Sequence, residues 1–103
     1  MTVYRNEGAF DGSNVEYDGK RILKYDKRNR TSSMRYIDYG LGAFQRVVFE
    51  AIPAGEKLDL ADVYQDLLGA GNLAAFEVHE RFYEIGSPEG LRETRELLSK
   101  PLA

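Results

Sequence analysis

Cysteine is absent from the 103 residues. That excludes disulfides and thiolate metal sites, and it permits a cytoplasmic setting. Histidine occurs once, as His79 in "EVHER". Cys–His catalysis is therefore out, and a lone histidine with no catalytic partner reads as a surface or structural residue. No G-x-S-x-G, P-loop, G-x-G-x-x-G or H-E-x-x-H pattern is present, so the common hydrolase, nucleotide-loop and zinc-protease signatures are missing. No apolar run approaches the roughly 18 residues of a membrane span. The opening "MTVYRNEG" lacks the basic and apolar regions of a signal peptide. The expectation is a cytoplasmic protein with no membrane contact. A basic surplus is also lacking: 14 Lys and Arg stand against 17 Asp and Glu, for a net charge of -3. That balance argues against nucleic acid as a partner. The one short basic run, "KRNR" at 27–30, reads as a solvated loop, although it could touch phosphate.

What is there fits one globular domain over residues 1–103, with 43% hydrophobic and 30% charged residues and room for a modest core. "MTVYRN" (1–6) reads as a strand and "EGAFDGS" (7–13) as a loop. "NVEYDGKRILKYDK" (14–27) is the clearest hairpin signal. Val15 and Tyr17 alternate with polar residues, Asp18-Gly19 turns, and Ile22, Leu23 and Tyr25 return. "MRYIDYG" (34–40) reads as a further strand. The period then changes. Phe44, Val47, Val48, Ala51 and Ile52 follow helical spacing up to Pro53. A second helix starts at the N-cap candidate Asp59, has Leu60, Val63, Tyr64, Leu67 and Leu68 as its apolar face, and ends at Gly69 and Gly71. "LAAFEV" (73–78) and "RFYEI" (81–85) read as two short strands. Ser87 and Pro88 open a last helix. The expected class is α/β: a mixed β-sheet with three helices.

Three places could carry chemistry. Lys27, beside Asp26 at the end of the hairpin, is either a solvated lysine or a cation aimed at phosphate, with Asp26 accepting a hydroxyl hydrogen bond. Asp38 in "YIDYGLG" stands before Gly40 and Gly42. Those glycines either turn the strand into the next element or let a ligand approach the backbone. Glu84 in "RFYEIGSPEGL" precedes a glycine and a helix start. It is either a plain strand-end residue or a carboxylate placed where α/β enzymes hold metals and phosphates.

In this order the segments "SNVEYDGKRILKYDKR", "MRYIDYGLGAF", "DLADVYQDLLGAGNLAAFEV" and "RFYEIGSPEGL" resemble the C-terminal half of sugar-1-phosphate nucleotidyltransferases, the NDP-sugar pyrophosphorylase family. The likeness covers nearly the whole chain and is nearest to the small bacterial enzymes for mannose-, heptose- or glucose-type 1-phosphates. The resemblance implies the C-terminal part of a Rossmann-like nucleotide-diphospho-sugar transferase fold. It implies Lys27 as the catalytic lysine that holds the sugar phosphate and Asp26 as a partner of sugar hydroxyls. It implies Asn14, Asp38, Tyr39 and Gly40 along the sugar pocket. Glu84 matches a Mg²⁺-binding carboxylate that is usually Asp in the family.

The family's N-terminal half, with its glycine-rich loop, base pocket and first metal-binding Asp, has no counterpart in these 103 residues. The resemblance therefore implies a truncated form. Its partners would be a sugar 1-phosphate and, only with the missing half, a nucleoside triphosphate. The chain alone would be inactive or nearly so, with 1–6 as an internal strand of the complete enzyme. A sheet edge left exposed where the missing half belongs would favour a homo-oligomer. The rival expectation is a small non-catalytic module that binds a sugar phosphate or a protein.

Overall fold

The computed structural model describes residues 1–7 and 12–101. Residues 8–11 of the expected loop 7–13 lie outside that range. Among the described residues five strands form one mixed sheet: β1 (Thr2–Arg5), β2 (Val15–Tyr17), β3 (Ile22–Tyr25), β4 (Tyr36–Asp38) and β5 (Phe76–Val78). Their spatial order is β3-β2-β4-β1-β5. Among the same described residues three helices accompany them: α1 (Val47–Glu50), α2 (Leu60–Gly69) and α3 (Pro88–Ser99). The α/β class with a mixed sheet and three helices is as the sequence leads one to expect. No helix among the described residues is long and apolar enough to cross a membrane.

The β2–β3 hairpin forms where the Asp-Gly signal lies, pairing Val15 with Tyr25 and Tyr17 with Ile22. The Asp18 carboxylate accepts from the backbone N–H of Lys20 (2.9 Å) and Arg21 (2.8 Å), and these bonds hold its pKa below the usual carboxylate range. Gly19 turns the chain at φ +94° with open space around its Cβ position. The cost of a side chain there is conformational, not steric. Gly19→Ala is therefore expected to lose about 1–2 kcal/mol, read as a lower urea midpoint with an unchanged slope. An unchanged midpoint would show that the turn tolerates another geometry.

β1 is the hub. It runs antiparallel to β4, with Val3 opposite Asp38, and parallel to β5, with Tyr4 opposite Val78. Val3 and Val15 are fully buried, and Ile22, Tyr25, Ala61 and Tyr64 close the core around them. Consecutive strand residues point to opposite faces. The Val3 face thus receives α2, while Tyr4 and its partner Ile37 occupy the other face. The outer edge of β3 is tied to α2, because the Gln65 side-chain amide donates to the Tyr25 carbonyl at 2.7 Å.

Two expectations are corrected. The helix read over 44–52 shrinks to the four residues of α1. It has no side-chain N-cap and no buried residue, and Val47 is 61% exposed. A short helix needs tertiary packing to persist. Here the best apolar residue, Phe44, leaves the helix to pack on Tyr64 and Phe49, each at 5.2 Å between ring centres. The strand read over 81–85 forms no ladder. The outer edge of β5 stays unpaired among the described residues, and Phe82 packs instead against the rings of Tyr4 and Tyr39.

Candidate functional site

The ends of three neighbouring strands meet at one margin of the sheet. Asn14 precedes β2, Asp26 follows β3, and Asp38 closes β4. The backbone N–H of Asp26 donates to the Asn14 carbonyl (3.0 Å), and the Asn14 side-chain oxygen accepts from the Asp38 N–H (3.0 Å). The Asp38 carboxylate in turn accepts from the Gly40 N–H at 3.0 Å. Gly40 has φ +90° and open space at its Cβ position, so the turn alone already asks for glycine there. Tyr39 is anchored to Thr2 through its backbone N–H (2.9 Å). Asn14, Asp26, Asp38, Tyr39 and Gly40 are thus one connected group.

Asp26 folds the following loop. Its carboxylate accepts from the N–H groups of Arg28 (2.8 Å) and Asn29 (2.9 Å), which lower its pKa. Lys27 reaches the other way, to α2. Its ammonium lies 3.0 and 3.1 Å from the two carboxylate oxygens of Asp59. Asp59 is also the N-cap of α2, accepting from Ala61 N–H at 2.9 Å. The Ala61 N–H and then Lys27 keep its pKa low. Arg28 approaches the same carboxylate at 3.7 Å. Lys27 is 42% exposed, and a cavity of about 190 Å³ lies beside it, between the 26–29 loop and Ala61, Asp62 and Gln65 of α2. Beneath this margin, burial pushes the Tyr25 hydroxyl up to about 12 and raises that of Tyr64, with the Asp38 carboxylate adding to both. Both phenols stay protonated at neutral pH.

Glu84 lies apart from this group. Among the described residues no hydrogen bond or ion pair joins it to Lys27 or Asp26. It lines a cavity of about 300 Å³ with Arg81, Phe82 and the first turns of α3. The link is Phe82, whose ring sits 6.0 Å from that of Tyr39 and 6.2 Å from that of Tyr4. That contact brings the 81–84 segment back onto the β4 side of the sheet.

Among the described residues no three His, Asp or Glu side chains gather as a metal cage. Glu89 and Glu93 line the same cavity as Glu84, but Arg92 holds the first and Arg81 the second, at 2.6 Å. Mg²⁺ is commonly held by one or two carboxylates together with substrate phosphates and water. Glu84 supplies one exposed carboxylate to this cavity. His79 is exposed and lies 3.6 Å from Glu77, as a surface residue.

Two participants were not legible in the sequence. Asp59 carried an N-cap signal but nothing to show that it also holds Lys27. Phe82 sat in an apparent strand, with no pattern to separate ring packing from edge pairing. No family model matches the chain, and no curated protein or solved structure matches it.

Proposed function

We propose that the chain is the sugar-phosphate-binding portion of a sugar-1-phosphate nucleotidyltransferase, with the Rossmann-like sugar-nucleotide transferase fold as its lineage. One observation carries the reading. Asn14, Asp26 and Asp38, read separately in the sequence, form one hydrogen-bonded row across three strand ends, with Lys27 following directly. Such a row offers carboxylate acceptors for sugar hydroxyls, and Lys27, whose ammonium rests on Asp59, is the cation next to Asp26 in sequence for phosphate.

In the reaction an oxygen of the sugar phosphate attacks the α-phosphorus of a nucleoside triphosphate. The α–β phosphoanhydride bond breaks and pyrophosphate leaves with its electron pair. Two anions must be brought together, so alignment and charge neutralisation dominate the barrier. Lys27 neutralises and holds the sugar phosphate, while Asp26 and Asp38 orient the sugar. Glu84 is the residue that would hold Mg²⁺, which when bound supplies further neutralisation of phosphate charge. The triphosphate needs a second portion of the enzyme, and the chain by itself is inactive or nearly so.

The test is the thermal midpoint of the purified chain against mannose, glucose and heptose 1-phosphates, each with and without Mg²⁺. Ligands that bind the native state raise the midpoint by mass action. Stabilisation by one sugar 1-phosphate, increased by Mg²⁺ in the wild type but not in Glu84→Gln, is the expected result. Binding that ignores Mg²⁺ would favour a non-catalytic sugar-phosphate module. No shift with any of the three would count against both.

A further inference from the structure

Tyr25 of β3 and Tyr64 of α2 stand ring to ring, 5.6 Å between centres and inclined at 70°. Their rings belong to the core, and the two residues are 7% and 3% exposed. Neither hydroxyl makes a hydrogen bond among the described residues. Yet no fully buried side-chain oxygen lacks a partner there, so each of these hydroxyls keeps an opening to solvent.

Phenylalanine would fill both places as well. A hydroxyl on a buried ring costs free energy unless it is paired, and the fold gives neither one a partner. Gly42 points the same way. A Cβ on it would collide with the Tyr64 hydroxyl oxygen, and Gly42 is not among the glycines with positive φ. Its backbone conformation gives no reason for glycine. Room for the hydroxyl does.

The surroundings select the ligand. Tyr25 directly precedes Asp26 and feels the carboxylates of Asp38, Asp59 and Asp26, while Tyr64 feels that of Asp38. An anion is repelled from such a field. A neutral hydroxyl is not, and it can accept from a phenol while donating to a carboxylate.

We propose that the Tyr25 and Tyr64 hydroxyls bind the sugar of the sugar phosphate, donating to its hydroxyl oxygens while Asp38 accepts from its O–H groups. This rests on the sugar-phosphate reading above and assigns the two ends of the ligand: the phosphate lies at Lys27 and the sugar at the two phenols.

The experiment is isothermal titration of glucose, mannose and heptose 1-phosphates, and of inorganic phosphate, into wild type, Tyr25→Phe, Tyr64→Phe and the double variant. The thermal midpoint of each protein is measured first. Each single variant is expected to raise the Kd for the preferred sugar 1-phosphate by about two- to tenfold, and the double variant by more. Midpoints should stay near wild type, and inorganic phosphate should be unaffected. Unchanged sugar 1-phosphate binding in the double variant overturns the inference. Equal weakening of inorganic phosphate overturns the assignment to the sugar. A midpoint that falls with the hydroxyl, or a variant that fails to fold, gives that hydroxyl to the fold and overturns the inference as well. Lys27→Ala keeps two failures apart. Weaker binding there with a normal double variant removes the inference alone, whereas no sugar 1-phosphate binding by the wild type removes the reading of the site and the inference with it.

Discussion

Tyr64→Ala is expected to bring the chain close to unfolding, with a loss of about 3–5 kcal/mol. Tyr64 is 3% exposed and joins three parts of the core. Its ring meets Tyr25 of β3 at 5.6 Å and Phe44 at 5.2 Å, and its hydroxyl abuts Gly42. A domain of this size holds only about 5–15 kcal/mol in total, so at the lower end little would remain. Tyr64→Phe keeps the ring and should lose much less. Urea unfolding followed by circular dichroism separates the two. A loss below about 1 kcal/mol in Tyr64→Ala would mean that the core repacks, against the cavity argument.

The sequence made legible the elements whose signals are local. Asp18-Gly19 specifies its turn through one carboxylate and one positive φ, and the hairpin follows. Asp59 and Ser87 cap their helices as their residue types suggest, accepting from Ala61 and Gly90. What was not legible depended on competition between distant partners. Phe44 fits a helical face, yet it packs on Tyr64 from outside the helix, which begins only at Val47. Phe82 fits a strand, yet the rings of Tyr4 and Tyr39 offer it more than an edge does. The order β3-β2-β4-β1-β5 places the fourth strand beside the second and the fifth beside the first, which no stretch of a dozen residues encodes. The candidate site divides the same way. Asp26 and Lys27 stand out by adjacency, whereas the link from Asn14 through Asp38 to Gly40 exists only once β2 and β4 are side by side.

Lys27 is where the functional proposal is most exposed to failure. At rest its ammonium is shared with Asp59 at 3.0 Å, and both groups are more than a third exposed. Such a pair contributes at most about 1 kcal/mol to stability. Lys27→Ala should therefore leave the thermal midpoint nearly unchanged, because Asp59 still caps α2 through Ala61. Binding should respond much more. A charge-assisted hydrogen bond to phosphate contributes about 1.5–3 kcal/mol, so the Kd for the preferred sugar 1-phosphate should rise by about 10- to 150-fold.

Asp59→Asn supplies the opposite sign. Asparagine caps a helix about as well as aspartate, so α2 should hold. Lys27 is then released from a competing carboxylate, and sugar-phosphate binding should tighten by about two- to fivefold, the equivalent of an exposed ion pair. Isothermal titration of both variants decides the matter. Weaker binding in Lys27→Ala with tighter binding in Asp59→Asn is what a phosphate-holding lysine produces. If both variants bind as the wild type does, Lys27 serves only to tie the 26–29 loop to α2, and the site loses its cation.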